Sequence, residues 1–418
     1  IEQEEIEALN PGLKESGLKE GMVLKIPLKT SVEMPTNQTG EILTNNTGTT
    51  SNLINQIKTN ATKHVVVMLP FQLHKVDTDS ILDAENEIKR NPYLNKSLDF
   101  YSGVKMALDS VKNLGVSLKV DVYDTQNQLS EISQIINENS FQDVDAVIGP
   151  LMPKNIDKVA LELRSSNIPV ISPITKNVTL SSNVFQSRAS EDLLYNKLVN
   201  HIKKDSSVAN VIIIADVKHI AVSNKLKQSF ATASQVNSRK NKKGADAFYI
   251  VDADIVSKLQ PGKNIIFLES DNPGFISNVT SKLNALNADD KKIILATTNM
   301  NDAFESDEVS NYHLSHLQFH YPSISKSYSE NESNLFVKAY EKEFGITPNK
   351  LAVRGFDVTM DVVLRLVTSE NIYQSVTDAQ LTEYVENKFA YKQHYSGGYY
   401  NNTVYLVKYQ DLKIVEVN

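Results

Sequence analysis

The sequence predicts an α/β fold built from two doubly wound, mostly parallel sheets in series. Three observations lead there. From His64 onward, apolar strand-like runs alternate with helical patterns, and helices of roughly ten to fifteen residues between strands imply a parallel sheet covered on both faces. At 418 residues and 41% hydrophobic content the chain exceeds what one ordinary core absorbs, so two or three domains are expected. The stretch from Asp145 to Thr175 also reads as a complete βαβ unit. Ala146-Val147-Ile148 stops at Gly149-Pro150, then Ile156, Val159, Ala160 and Leu163 recur at helical spacing, and Ile168-Pro169-Val170-Ile171 ends at Ser172-Pro173. In open α/β sheets ligands sit outside the carboxyl ends of the strands, which here are these two turn-forming loops.

In chain order, residues 1–29 form a small unit. Ile6 and Leu9 share a helical face, Asn10-Pro11-Gly12 stops that helix, and Met22 to Pro27 alternates like a strand. Residues 30–62 are rich in Thr, Asn, Ser and Gly with few apolar side chains. That composition cannot offset chain entropy, so the segment is expected to be a flexible linker. Residues 63–418 carry the α/β alternation. Val65 to Leu69 is a buried strand, the charged run Asp83 to Arg90 a solvated helix, Leu98 to Leu114 an amphipathic helix and Val116 to Tyr123 a strand closed by Asp124-Thr125. Ile132 to Asn137 leads into the βαβ unit.

A second series starts near Val184. Helices are expected at Leu193–Lys203, Asn224–Ala231 and Ile276–Leu286, and strands at Val211–Ala215, Phe248–Val251, Ile265–Leu268 and Ile293–Ala296. After Tyr321-Pro322 come helices at Leu335–Phe344 and Val353–Thr368, then strands at Thr403–Tyr409 and Leu412–Val417.

Composition excludes several functions. A net charge of −7 and a pI near 5.7 argue against nucleic acid, whose phosphates need a basic surface. The chain has no cysteine, so disulfides and thiolate metal sites are ruled out. No run approaches the ~18 apolar residues of a membrane-spanning helix. The chain opens on Ile1 in mid-pattern, and an upstream signal peptide or lipid-carrying cysteine is expected.

His313-x-x-His316-x-x-x-His320 has helical metal-ligand spacing, but Leu317, Phe319 and Tyr321 alternate around it. On a strand His316 and His320 would stand roughly 13 Å apart, too far to share an ion. Arg239 to Lys243 reads as a solvated basic loop, and Asp357 as the cap of its helix. No G-x-S-x-G, Walker-type or H-E-x-x-H motif occurs. Neither a metal, a cofactor nor an enzymatic activity is expected.

Two resemblances add to this reading. LNPGLK (9–14), GLKEG (17–21) and VLKIP (23–27) resemble the second half of a LysM repeat, a module that binds N-acetylglucosamine in peptidoglycan or chitin. The resemblance implies Asn10, Pro11, Gly12 and Leu13 as glycan-contacting residues. LDFYSGVKMALDSVKNLGVSLKVDVYDTQ (98–126), VIGPL (147–151), IPVISPIT (168–175), VFQSRAS (184–190), residues 336–366 and GGYYNNTVYLVKY (397–409) together resemble the type I periplasmic-binding-protein family. That family has two lobes, each with its own sheet, joined by three hinge crossings. The crossings would fall near Asn183, Tyr321 and Ser396, giving lobe one 63–183 and 322–395 and lobe two 184–321 and 396–418.

The same resemblance implies a ligand cleft with Asp124, Gly149, Leu151, Ser172, Thr175 and Tyr321 as lining candidates. This chain departs from the pattern of amino-acid-binding members at two points. Leu151-Met152-Pro153-Lys154 lacks the usual small hydroxyl, and Asp216-Val217-Lys218-His219 replaces an aromatic-glycine turn. A buried amino acid needs both charges paired. The main expectation is therefore a non-enzymatic bacterial envelope protein, periplasmic or outer-membrane-associated. It would be held to peptidoglycan through LysM, with the two-lobed domain a protein-interaction scaffold of an envelope assembly. The alternative is a solute-binding protein that feeds an amino-acid-like or short peptide ligand to a transporter.

Overall fold

A computed structural model describes residues 50–58, 61–77, 79–327 and 334–417, all within the unit Thr47–Asn418. The proposed glycan contacts Asn10 to Leu13, the whole of 1–29 and most of 30–62 lie outside the described residues. The part of the expected linker that is described is docked rather than free. Leu53 is buried, the Ser51 N–H donates to the Leu381 carbonyl (2.7 Å) and the Lys58 N–H to the Val367 carbonyl (2.9 Å). One apolar side chain and two backbone hydrogen bonds hold down a segment whose composition alone reads as unstructured.

The first half contains β1 (Lys63–Leu69), α1 (Ile81–Arg90), α2 (Pro92–Asn113), β2 (Leu118–Asp124), α3 (Leu129–Glu138), β3 (Ala146–Ile148), α4 (Pro153–Leu163), β4 (Val170–Ser172) and β5 (Val184–Gln186). The middle contains α5 (Glu191–Lys204), β6 (Val208–Ala215), α6 (Ile220–Ser229), β7 (Ser234–Asn237), α7 (Asp252–Val256), β8 (Lys263–Glu269), α8 (Pro273–Leu286), β9 (Ile293–Ala296), α9 (Asn311–His316) and β10 (His320–Ser323). The last part contains α10 (Leu335–Phe344), α11 (Lys350–Thr368), α12 (Ile372–Asp378), β11 (Thr382–Glu383), β12 (Lys388–Phe389), β13 (Tyr391–Gln393), β14 (Tyr399–Asn401), β15 (Tyr405–Gln410) and β16 (Lys413–Glu416).

Two seven-stranded sheets result, ordered β13-β14-β5-β4-β3-β1-β2 and β16-β15-β10-β9-β8-β6-β7. Each has a parallel core of the same order, 2-1-3-4-5, and antiparallel pairing only at its late-arriving edge. Because successive strand residues face opposite ways, Ile212 and Ile214 of β6 meet Phe275, Ile276 and Val279 of α8, whereas Val211 and Ile213 meet Leu198 and Ile202 of α5. In the first sheet, Val66, Val147 and Val170 pack on Ile132 of α3 and on Ile156 and Val159 of α4.

On the opposite face α2 and α11 cross with their backbones touching. A Cβ on Gly103 would stand 1.8 Å from the Ala352 carbonyl oxygen, and one on Gly355 would stand 2.0 Å from that of Phe100. Only glycine allows so close a crossing.

Strand pairing puts β5 and β14 in the first sheet and β10 in the second. The chain thus passes between sheets after Gln186, Ser323 and Asn401, a few residues beyond the positions expected from the resemblance. Other expectations shift as well. Phe248–Val251 is irregular rather than a strand, with Phe248 at a φ of 51°. His313 and His316 lie on the short helix α9, not on a strand.

Candidate functional site

In a 2-1-3-4-5 sheet the chain reverses its direction of winding between the first and third strands, and the crevice at their carboxyl ends is where ligands sit. The corresponding loops are Pro70–Gln72, Asp124–Asn127, Gly149–Met152 and Ser172–Lys176 in the first lobe. In the second they are Asp216–His219, Glu269–Asn272 and Thr297–Asn301.

The sequence-derived residues of the first lobe turn out to shape loops more than to face a solute. Both carboxylate oxygens of Asp124 are taken by backbone N–H groups, from Gln72 (2.9 Å), Leu73 (2.8 Å) and Gln126 (2.8 Å). Gly149 has a φ of 95°, and a Cβ there would lie 2.2 Å from the Met68 carbonyl oxygen, so no other residue fits. Leu151 is buried. Ser172 is fully buried, its hydroxyl donating weakly to the Thr175 carbonyl (3.4 Å), while Thr175 itself is half-buried. The fold thus brings Gly149, Leu151, Ser172 and Thr175 to adjacent strand ends. Tyr321 does not join them. It lies in the core of the second lobe, 5.4 Å from the Phe319 ring and 6.3 Å from that of Tyr409.

The residue that organises this wall is Arg354, which sequence reading overlooked because it falls inside an apolar helical run. Its guanidinium is buried among three acceptors: the Pro173 carbonyl (2.9 Å), the Ser187 hydroxyl (2.9 Å) and the Asn387 side-chain oxygen (2.7 Å). It also stacks over Phe389, 5.2 Å from the ring centroid. Burial lowers its pKa to about 10, which still leaves it charged at neutral pH. Ser187 in turn donates to the Ser172 carbonyl (2.8 Å), and its own carbonyl accepts from Asn401 (3.0 Å).

One turn along α11, Asp357 accepts N–H groups of Val385 (3.0 Å), Glu386 (3.0 Å) and Asn387 (2.8 Å) and the Asn387 amide (2.7 Å). Asp357 is therefore not the cap of its helix. Asn349 caps it, accepting from Leu351 (3.0 Å) and Ala352 (2.9 Å), and the helix begins earlier than the apolar spacing suggested. Burial pushes the Asp357 carboxyl up to about 6. The second crossing is attached to the same loop, since the Lys326 N–H donates to the Glu386 carbonyl (2.9 Å). Arg354 and Asp357 thus gather the Ser172–Thr175 loop and all three crossings at one place.

The second lobe's wall is held by acids at strand ends. Asp216, fully buried, accepts the His219 N–H (3.0 Å), the His219 ring Nδ1–H (2.7 Å) and the Ser270 hydroxyl (2.6 Å). Glu269 accepts the Thr298 N–H (2.8 Å) and hydroxyl (2.9 Å), and burial pushes its carboxyl up to about 7. Asp246 accepts from Val217 (2.9 Å), Phe248 (2.8 Å) and Ser238 (2.7 Å). The signal that could have found Asp216 and Glu269 is a charged residue closing an apolar parallel strand, where the carboxylate must be paired.

Asp216, His219 and Asp271 set one ligand atom each within 4.8 Å of one another. Asp216 is already saturated by donors, and the Lys218 ammonium sits on Asp271, which places a positive charge where a metal ion would need to be. Ion pairs link the lobes at Lys176–Glu191 (2.7 Å) and Lys350–Glu305 (3.5 Å).

No family model matches the sequence, and no curated protein is similar to it in sequence. In three dimensions the chain is similar to a candidate branched-chain amino acid ABC transporter from Rhodospirillum rubrum. The TM-score is 0.58 at 12% identity, covering 85% of this chain and 100% of that one. It is also similar to a branched-chain amino acid ABC transporter periplasmic ligand-binding protein from Burkholderia xenovorans. There the TM-score is 0.51 at 9% identity, covering 85% of this chain and 94% of that one. The fold is that of the type I periplasmic binding proteins.

This finding overturns the expectation of a peptidoglycan-held scaffold in an envelope or outer-membrane assembly. Both relatives belong to transport systems, and one is a periplasmic ligand-binding protein. No match to a LysM unit was found. Among the described residues no helix is long and apolar enough to cross a membrane.

Proposed function

We propose that this chain is a periplasmic solute-binding protein that closes its two lobes on an amino-acid-like or short peptide ligand for delivery to an ABC transporter. Its task is binding, not catalysis. The observation that carries the reading is the Arg354 hub. The loop bearing Ser172 and Thr175 shares hydrogen-bond partners with the crossings on which the lobes would turn. A ligand seated on that loop is thereby coupled to the angle between the lobes, as a closing cleft requires. The second lobe supports it, because its loops are fixed in advance by Asp216 and Glu269, which lowers the ordering cost on binding.

Isothermal calorimetry on the full chain with leucine, isoleucine, valine and short apolar peptides tests this. One-site binding by at least one of them is expected, with affinity falling about tenfold on Thr175→Val, the loss of one hydrogen bond to a charged group. Absence of binding across that panel and across fractionated small metabolites would overturn the reading.

A further inference from the structure

The second lobe contains a cavity of about 160 Å³ between α5 and the face of its sheet. Its floor is apolar, formed by Ile202 of α5, Ile265 of β8 and Ile294 of β9. Its rim is cationic. His320 and Lys408 are direct cross-strand partners on β10 and β15, and the His201 ring stacks over that of His320 with centroids 6.2 Å apart. Lys263 completes the rim in an ion pair with Asp205. Lys408 has no such partner among the described residues.

Charge at the site is therefore one-sided. Lys263, Lys197 and Lys204 act on His201 against the Asp205 carboxylate, and Lys408 and Lys263 act on His320. The Nδ1–H of His320 donates to the Gln318 carbonyl, which leaves the unprotonated Nε2 as its other ring nitrogen. Burial and the neighbouring cations hold His320 down to about 4 and lower His201 as well. Two neutral histidines beside an unpaired ammonium give a surface able to take up a negative charge together with a proton. The atoms of His201, His320 and Asp205 do not converge as metal ligands, since the cluster that does lies at Asp216, His219 and Asp271.

We propose that this cavity binds a small oxyanion, held by Lys408 and by a His320 imidazole that gains a proton as the anion enters. The site lies under α5 on one face of the sheet, and the proposal does not depend on what the cleft binds.

Calorimetry of the full chain with sulfate, whose charge is constant over the range used, and separately with acetate tests the proposal and distinguishes inorganic from carboxylate anions. Saturable one-site binding is expected. It should tighten at least fivefold between about pH 7.5 and about pH 5.5, as proton-linked uptake requires. Lys408→Gln should weaken it about tenfold, the loss of one charge-assisted hydrogen bond. A second readout, the ring resonances of His320, should show its titration moving upward when sulfate is present. No saturable binding of either anion, binding indifferent to Lys408→Gln, or a His320 titration unmoved by sulfate would each overturn the proposal. Leucine-type ligands of the cleft should bind the Lys408→Gln variant unchanged.

Discussion

The two walls of the cleft share a topology but are fixed by opposite means. In the first lobe a buried cation reaches out from a helix: Arg354 draws in the Ser172–Thr175 loop, Ser187 and Asn387. In the second lobe buried carboxyl groups at the strand ends draw in nearby loops, Asp216 at β6 and Glu269 at β8. The first arrangement is long-range, joining segments far apart in sequence, and it sits where the chain crosses between lobes. The second lies wholly within one lobe and would keep its shape however the lobes move. A wall of the first kind can transmit a binding event to the hinge. A wall of the second kind can only present a preformed surface.

The sharpest way to break this contrast is at Asp357, which supports the loop that Arg354 uses. Asp357→Ala removes the acceptor for three backbone N–H groups and one amide, all buried. Orphaning such a network costs about 3–5 kcal/mol, to be read from urea unfolding of the variant at neutral pH. A loss below about 1 kcal/mol would mean that the crossings are held elsewhere.

The next largest effect lies in the other wall and depends on pH. Burial raises Glu269 from 4.5 to about 7. The folded state therefore keeps a proton that the unfolded chain has already released, so stability is greatest below the unfolded value and falls as pH rises towards 7. Asp357, raised to about 6, and Glu386, raised to about 8, slope the same way. Glu269→Gln keeps the shape without the ionisation. Relative to the parent, it should gain on the order of 3 kcal/mol between about pH 4.5 and about pH 8. Equal slopes of stability against pH for the two proteins would show that Glu269 is not desolvated as its burial implies.

Much of the fold was legible in the sequence because parallel strands buried on both faces read as β-branched runs, and Val65 to Leu69 and Ile265 to Leu268 admit few alternatives. The loops after β3 and β4 were legible for a similar reason: Gly149-Pro150 and Ser172-Pro173 are strong local breaks. What determines the site was not legible. Arg354, Asp357 and Glu269 gain their roles from partners 28 to 181 residues away, at strand ends or loops that periodicity does not connect. Periodicity carries no record of such pairing, since Arg354 is a single polar interruption of an apolar helix and Asp357 reads as the cap of that helix. Tyr321 failed in the opposite sense. The family resemblance implied a cleft residue there, whereas its ring packs beside Phe319 in the core of the second lobe.

The smallest expected effect tests whether anything outside the hub couples the lobes. Lys350 at the start of α11 meets Glu305, in the loop after β9, at 3.5 Å, and Lys350 is largely exposed. Exposed pairs of this kind contribute about 0–1 kcal/mol and weaken as salt screens them. A double-mutant cycle of Lys350→Gln with Glu305→Gln should therefore return a coupling below about 0.5 kcal/mol in unfolding free energy. It should also change ligand affinity by no more than about twofold, an effect that vanishes at high salt. A larger, salt-resistant coupling would place part of the lobe-to-lobe linkage at the rim, and the division between a transmitting wall and a presenting wall would no longer hold.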